Sequence, residues 1–582
     1  MNTVRLALAQ INSTVGDLAG NVAKIADGIE RAAAAGADLV AFPELALCGY
    51  PPEDLTFNPD FLTANRRALA QLAPLSKDIA VVVGFVDSEA EIYNAAAILY
   101  GGRQVGVSHK IRLPNYGVFD EFRYFTPGSC PTLFDLKGNM VGLGICEDIW
   151  YPDEPIGTQV AEGATLILNI SASPYRVGRT RNREEMLETR ARDYLTPIAL
   201  VNLVGGQDEL VFDGNSLVYD PHGKMLARGR SFEEDLIIAD IDFNDVANAR
   251  HRDGIGRLDG LHERHKGPVS IFSLDGLREK RKSQPAGAVS ALAEPHMPEP
   301  LSGLEEVHRA LVVGLGDYVR KNIFQKVVVG LSGGVDSSLV AAVAVDALGA
   351  GNVVGVSMPS RYTSEGTRAD AGVLAENLGI EFRIIPIEPI FESYLEVLKP
   401  EFAGREPDVT EENLQARIRG NLLMALSNKY GWLVLTTGNK SESSVGYATL
   451  YGDMAGGFAM IKDVPKTMVY DLCRYLNSRG EEIIPESVIT REPSAELAPE
   501  QKDSDTLPPY DLLDRIIEEY VEHDKSLEEM IAAGLDEAVV RRVTRMIDRN
   551  EYKRRQAPPG IKITSRAFGK DRRFPITNRF EA

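Results

Sequence analysis

The strongest constraint on the fold lies near the middle of the chain. An apolar run at residues 326–331 leads into Gly330, Leu331, Ser332, Gly333, Gly334, Val335, Asp336, Ser337 and Ser338, and an apolar helical window follows at 337–348. Strand, tight glycine turn and helix in that order begin a parallel β–α–β unit. A strand at 353–358 and a helix at 368–378 continue the pattern, and an amphipathic helix at 304–321 precedes it. Such alternation with short connections predicts a doubly wound parallel sheet. The turn is built to receive an anion. Two glycines let backbone N–H groups approach closely, serine hydroxyls add donors, and the helix points its positive end at the same place. A Walker A loop would carry a lysine before its Ser/Thr. This chain has Asp336, which suits metal-bridged pyrophosphate.

The rest of the chain reads as a second domain ahead of this one. Short apolar runs at 4–11, 39–42, 79–86, 95–100, 140–146 and 166–170 alternate with helical windows at 22–35 and 61–72. Further strands are expected at 199–203, 216–219 and 236–241. Residues 280–302 hold four prolines and no sustained period, which marks an interdomain tether. A second break at 491–509 is a lid candidate. At 582 residues, two to four domains are expected.

Acidic residues outnumber basic ones 84 to 63, a formal charge of −21, which argues against a coat for nucleic acid or an anionic membrane. No apolar run reaches the roughly 18 residues of a membrane span. The first eleven residues read as a strand and not as a signal peptide, so the expected location is cytoplasmic. The C-terminal stretch 552–582 carries nine Lys/Arg against two acidic residues. It is either a solvated arm on an acidic neighbour or an anion-binding element.

The first half offers a nucleophile. Cys146 ends an apolar strand after small residues that permit a tight turn. Glu44 and Lys110 stand at two other strand exits. Glu44 precedes Lys110 by 66 residues, and Lys110 precedes Cys146 by 36. Where strand ends converge, the carboxylate can take the thiol proton, while the ammonium favours the thiolate and a developing oxyanion. Cys48, Cys130 and Cys473 read as packing residues, and Trp150 and Trp432 as core or rim aromatics. His262 and His265 alone do not make a metal site.

The SGGVDS segment resembles the pyrophosphate loop of the ATP pyrophosphatases. The segments 436–442 (TTGNKSE) and 445–453 (VGYATLYGD) are similar to NAD synthetases, as are Lys466, 491–494 (REPS) and 551–554 (EYKR). That resemblance implies an ATP site formed by Gly330, Leu331, Ser332, Gly333, Gly334, Val335, Asp336, Ser337, Thr437 and Lys466. It implies Mg²⁺ on Asp336 and Glu442, and deamido-NAD held by Asn413, Arg417, Glu442 and Lys553. One departure is Leu450, where many ammonia-only members carry a lysine.

The Glu44, Lys110 and Cys146 segments resemble the nitrilase superfamily, which implies an α-β-β-α sandwich. By that resemblance Cys146 is the nucleophile, Glu44 the general base and Lys110 the stabiliser of the tetrahedral intermediate. Glu121 matches the second glutamate, and Tyr116, Ser173 and Arg179 the recognition of glutamine. Both halves together resemble glutamine-dependent NAD synthetases. The expected organisation is an amidase domain at 1–275, a linker at 276–302 and a doubly wound synthetase domain at 303–582. The implied reaction converts deamido-NAD and ATP to NAD, AMP and pyrophosphate with ammonia from glutamine. The expected partners are small-molecule substrates and further copies of the chain, not nucleic acid or membrane.

Overall fold

Period-two alternation in the first half builds two sheets that share one core. The computed structural model describes residues 3–89, 91–252, 267–274 and 293–580. One six-stranded sheet runs in the order Asp235–Asp242, Thr3–Gln10, Leu39–Ala41, Ala80–Asp87, Tyr93–Tyr100, Arg103–His109. The first pairing is antiparallel, the next two are parallel and the last two antiparallel. A seven-stranded sheet runs Met225–Arg228, Leu217–Tyr219, Ile198–Asn202, Leu166–Ser171, Asn139–Ile145, Thr132–Leu136, Ser270–Ser273. Its central three strands are parallel.

Leu6, Leu8, Val82 and Ile98 from one sheet meet Leu143, Ile145, Leu168 and Val201 from the other in a single buried cluster. The alternate residues Ala7, Val40, Val81 and Ala97 face outward onto Ile25, Ile29 and Leu69 of the Leu18–Ala34 and Pro59–Leu72 helices. Ile167, Leu200 and Leu217 do the same on the other side against Leu187 and Ala191 of the Arg179–Tyr194 helix. The result is the expected α-β-β-α sandwich. Each fully buried Leu, Ile or Val contributes about 1.5–3 kcal/mol.

The expected strands are present with ends shifted by at most two residues. The strand expected to end at Lys110 runs Arg103–His109 at the sheet edge, while Thr132–Leu136, Met225–Arg228 and Ser270–Ser273 have no counterpart among the expected strands. Of the expected linker, residues 276–292 lie outside the described residues, as do His262 and His265. The described remainder begins with Ala293, whose N–H donates to Asp240, and His296, whose Nε2 lies 2.7 Å from Asp235.

Contacts divide the chain into Met1–Gln207 with Val211–Leu301, and Ser302–Ala582 with Asp208–Leu210. The second unit holds a four-stranded, wholly parallel sheet in the order Glu381–Ile384, Val353–Ser357, Val327–Gly330, Leu433–Leu435. Its central strands are near-continuous valine, as burial of both sheet faces requires. The expected Gly303–Lys321, Val335–Leu348 and Glu365–Leu378 helices form. A separate helical cluster packs Leu513, Ile516, Val540, Val543 and Ile547 of the Tyr510–Ile517 and Glu537–Arg549 helices against Val445.

Two candidate active sites

In the first unit, three strand ends deliver Glu44, Lys110 and Cys146 to one buried place. Glu44 lies in the turn after Leu39–Ala41, Lys110 directly follows Arg103–His109, and Cys146 directly follows Asn139–Ile145. The Lys110 Nζ donates to Glu44 Oε1 at 2.7 Å and to Glu121 Oε1 at 2.8 Å. The Asn94 amide adds a second donor to Glu44 Oε1 at 2.7 Å, and the Ala172 N–H meets Oε2 at 2.9 Å. Three donors thus fix the Glu44 carboxylate. The Tyr50 hydroxyl donates to Glu121 at 3.0 Å.

Asp148 ties two of these turns together. It accepts the N–H groups of Ile111 and Arg112, just past Lys110, and of Ile145, just before Cys146. Cys146 itself has φ of +46°, in the left-handed region that side chains other than glycine rarely occupy.

The electrostatics show how the three groups oppose one another. The Cys146 thiol is pushed well above its ordinary value by burial and then by Glu44, with Lys110 opposing. The resting nucleophile is therefore a thiol, and its proton must leave as it attacks. Burial works against the Lys110 ammonium, but Glu121 and Glu44 more than offset it and hold its pKa well above normal. Burial and the neighbouring Glu44 raise Glu121 to about 7 against the pull of Lys110.

The expected glutamine residues surround this centre. The Ser173 N–H donates to Asn202 Oδ1 at 2.9 Å, and its buried hydroxyl has no partner among the described residues. Tyr116 donates to Glu147 at 2.8 Å. Arg179 opens the Arg179–Tyr194 helix and lies over the Trp150 ring, 4.0 Å from its centroid. Asn94, Glu147 and the positioning role of Trp150 escape a reading of the sequence. The one available signal is that Glu147 directly follows the nucleophile.

In the second unit, the loop after Val327–Gly330 opens the Val335–Leu348 helix at a cavity of about 270 Å³. Gly333 has φ of +81°, and a Cβ there would lie 2.2 Å from the Thr367 carbonyl oxygen, so only glycine fits. Ser332, Gly333, Gly334, Val335, Asp336 and Lys466 line this cavity. The Lys466 Nζ sits 2.5 Å from Asp336 and 3.1 Å from Glu442. Burial, Asp336 and Asp503 raise Glu442 to about 7 against the pull of Lys466. Asn439 donates to the other Asp336 oxygen at 2.8 Å.

Thr437 and Lys553 line a smaller cavity of about 90 Å³, which Glu442 also borders. The Lys553 Nζ is held by the carbonyls of Gly446 and Ala448. Asn413 accepts from the Thr449 hydroxyl at 2.7 Å. Arg417 is exposed, donates to the Leu450 carbonyl, and lines neither cavity. Residues 492–497 of the lid candidate line the larger cavity, with Glu496 accepting from Thr367 at 2.8 Å. The tail cations mostly meet acidic neighbours, as in Arg566 with Asp524, Lys562 with Asp571 and Arg572 with Asp548.

The carbon-nitrogen hydrolase family profile matches residues 5–251, and the NAD synthase profile matches residues 307–557. A glutamine-dependent NAD(+) synthetase of Thermotoga maritima is 53% identical, with 100% of each chain covered. The Aquifex aeolicus protein of that name is 48% identical over 99% of this chain and 100% of its own. Among solved structures, the glutamine-dependent NAD+ synthetase of Acinetobacter baumannii in complex with ADP is 41% identical, with a TM-score of 0.74 and 99% of each chain covered.

Proposed function

Because the chain belongs to the glutamine-dependent NAD(+) synthetases, we propose that Cys146 frees ammonia from glutamine in the first unit, and that the pyrophosphate loop and its cavity adenylate the acceptor in the second. The enzyme amidates deamido-NAD to NAD with ATP, yielding AMP, pyrophosphate and glutamate. The observation that carries the division of roles is the contact of Lys110 with Glu44 and Glu121 beside Cys146.

In this reading Tyr116, Ser173 and Arg179 seat glutamine, with Glu147 facing its amino group. Glu44 accepts the Cys146 proton as Sγ attacks the side-chain amide carbon. The developing oxyanion falls to Lys110. Collapse breaks the C–N bond, the proton returns to the leaving nitrogen, and ammonia departs. Water, activated by Glu44, then cleaves the γ-glutamyl thioester to glutamate. Glu121 keeps Lys110 in place.

In the second unit the nicotinate carboxylate of deamido-NAD attacks the ATP α-phosphate and pyrophosphate leaves. Ammonia displaces AMP. Gly330, Leu331, Ser332, Gly333, Gly334, Val335, Asp336, Ser337, Thr437 and Lys466 serve ATP; Asn413, Glu442 and Lys553 serve the acceptor. Arg417, whose Nε donates to the Leu450 carbonyl, serves the acceptor with them. Mg²⁺ fits Asp336 and Glu442, two carboxylates that converge on one ammonium. No group of three or more His, Cys, Asp or Glu forms a cage among the described residues. A cation that takes one or two carboxylates and completes its shell with phosphates suits such a pair. When bound, it supplies charge neutralisation on the phosphates.

On this reading the amidase occupies 1–275, a linker 276–302 and the synthetase 303–582. The enzyme acts in the cytoplasm as a homo-oligomer, on small molecules only. No helix among the described residues is long and apolar enough to cross a membrane. Glutamine labelled with ¹⁵N in its amide, supplied with ATP, Mg²⁺ and deamido-NAD, should yield ¹⁵N-labelled NAD. Unlabelled NAD would overturn the reading.

A further inference from the structure

The Val409–Tyr430 helix carries two arginines, 417 and 419, which at 3.6 residues per turn point about 200° apart. Arg417 is the outward one, exposed and on the Leu450 carbonyl. Arg419 is the inward one. It lines the cavity that holds the pyrophosphate loop. Its Nε donates to the carbonyl of Met358 at 3.0 Å, just past the Val353–Ser357 strand. That bond fixes the plane of the guanidinium. Its Nη1 and Nη2 have no hydrogen-bond partner among the described residues.

The other cations of this cavity are engaged. Lys466 is paired with Asp336 and Glu442, and Arg491 with Asp370. Arg419 has no ion pair among the described residues. Burial pulls its pKa down to about 10, with Glu496 opposing. The half-buried guanidinium faces the cavity without an ion-pair partner of its own, so a ligand anion can supply the countercharge. Its planar fork matches phosphate oxygens in a bidentate way.

We propose that Arg419 binds ATP, through the phosphate oxygens at the open Nη1/Nη2 edge, beside the Arg417 assigned to the acceptor. The proposal rests on the synthetase reading above and adds a binding residue to it. With phosphate bound, Arg419 also links the nucleotide to the end of the central sheet through Met358. Loss of the fork removes one charge-assisted pair, which corresponds to about a 10- to 100-fold loss of ATP affinity.

The test measures Mg²⁺-dependent binding of α,β-methylene-ATP to the full chain by equilibrium dialysis, with steady-state KM values for ATP and deamido-NAD. Arg419→Gln should weaken nucleotide binding and raise the ATP KM at least tenfold, with the deamido-NAD KM and glutamine hydrolysis unchanged. Arg419→Lys should recover part of the loss. The lysine variant also reads the contact if the glutamine variant does not fold. ATP affinity within twofold of wild type in a folded Arg419→Gln overturns the proposal. So does a rise confined to the deamido-NAD KM. Absence of nucleotide binding by the wild-type chain would instead overturn the synthetase reading itself.

Discussion

The ammonium of Lys110 stands 2.7 Å from the carboxylate of Glu44, and both side chains are wholly buried. A second carboxylate, Glu121, touches the same ammonium. One positive charge therefore holds two negative ones away from water, and the removal of each member has a different consequence.

Lys110→Met should abolish glutamine hydrolysis and destabilise the first unit. It leaves Glu44 and Glu121 without their shared cation, a loss of about 3–5 kcal/mol for a broken buried pair. Adding Glu121→Gln to Lys110→Met should restore part of the thermal stability but none of the hydrolysis. Equal melting temperatures for the single and double variants would contradict the buried-charge account.

Cys146→Ala should lose NAD formation from glutamine by more than a thousandfold while keeping it with added ammonium salt. A folded variant equally dead with both nitrogen sources would show that Cys146 is not confined to the amide step.

Glu121 makes the stability of the first unit depend on pH. Glu121 is raised in the folded chain to about 7 by burial and by Glu44, with Lys110 and Tyr50 opposing. A carboxyl with a raised folded value stabilises the fold fully below its unfolded value of about 4.5, and this stabilisation is lost as pH rises through 7. Glu121→Gln removes that dependence. Melting curves from pH 4 to pH 8 should show the variant gaining on wild type as pH rises. A difference in melting temperature that does not vary with pH would refute the assignment.

Gly333→Ala should impair NAD formation from both glutamine and ammonia. The left-handed backbone and the 2.2 Å approach to Thr367 force the loop to move, with strain of about 1–3 kcal/mol from the backbone alone. Glutamine hydrolysis, assayed alone as glutamate release, should persist. Unchanged ATP kinetics would mean that the loop tolerates the displacement.

Trp150→Ala should raise the glutamine KM several-fold with little change in kcat. The ring under Arg179 contributes about 1 kcal/mol by its cation–π contact. A change in kcat alone would place Trp150 outside substrate seating.

Residues whose chemistry is written in local sequence are legible from the chain alone. The 330–338 loop, and Glu44, Lys110 and Cys146 at their strand exits, declare themselves through neighbours one or two positions away. The residues that orient them do not. Asn94 reaches Glu44 from two strands away in the same sheet and the Ala172 N–H from the facing sheet, 50 and 128 residues apart along the chain. The Asn413–Arg417 segment lies on the right helix, but only packing decides which arginine turns inward. Charge alone leaves the basic tail open to two readings. Its acidic neighbours at Asp524, Asp548 and Asp571 favour the packed arm for most of those residues, while Lys553 borders a cavity.

The left-handed backbone of Cys146 carries a consequence for how such a chain can change. A glycine at 146 would relax that conformation, yet it would have no sulfur and would leave its place in the buried cluster empty. Backbone ease and the reactive atom therefore pull this position toward different residues.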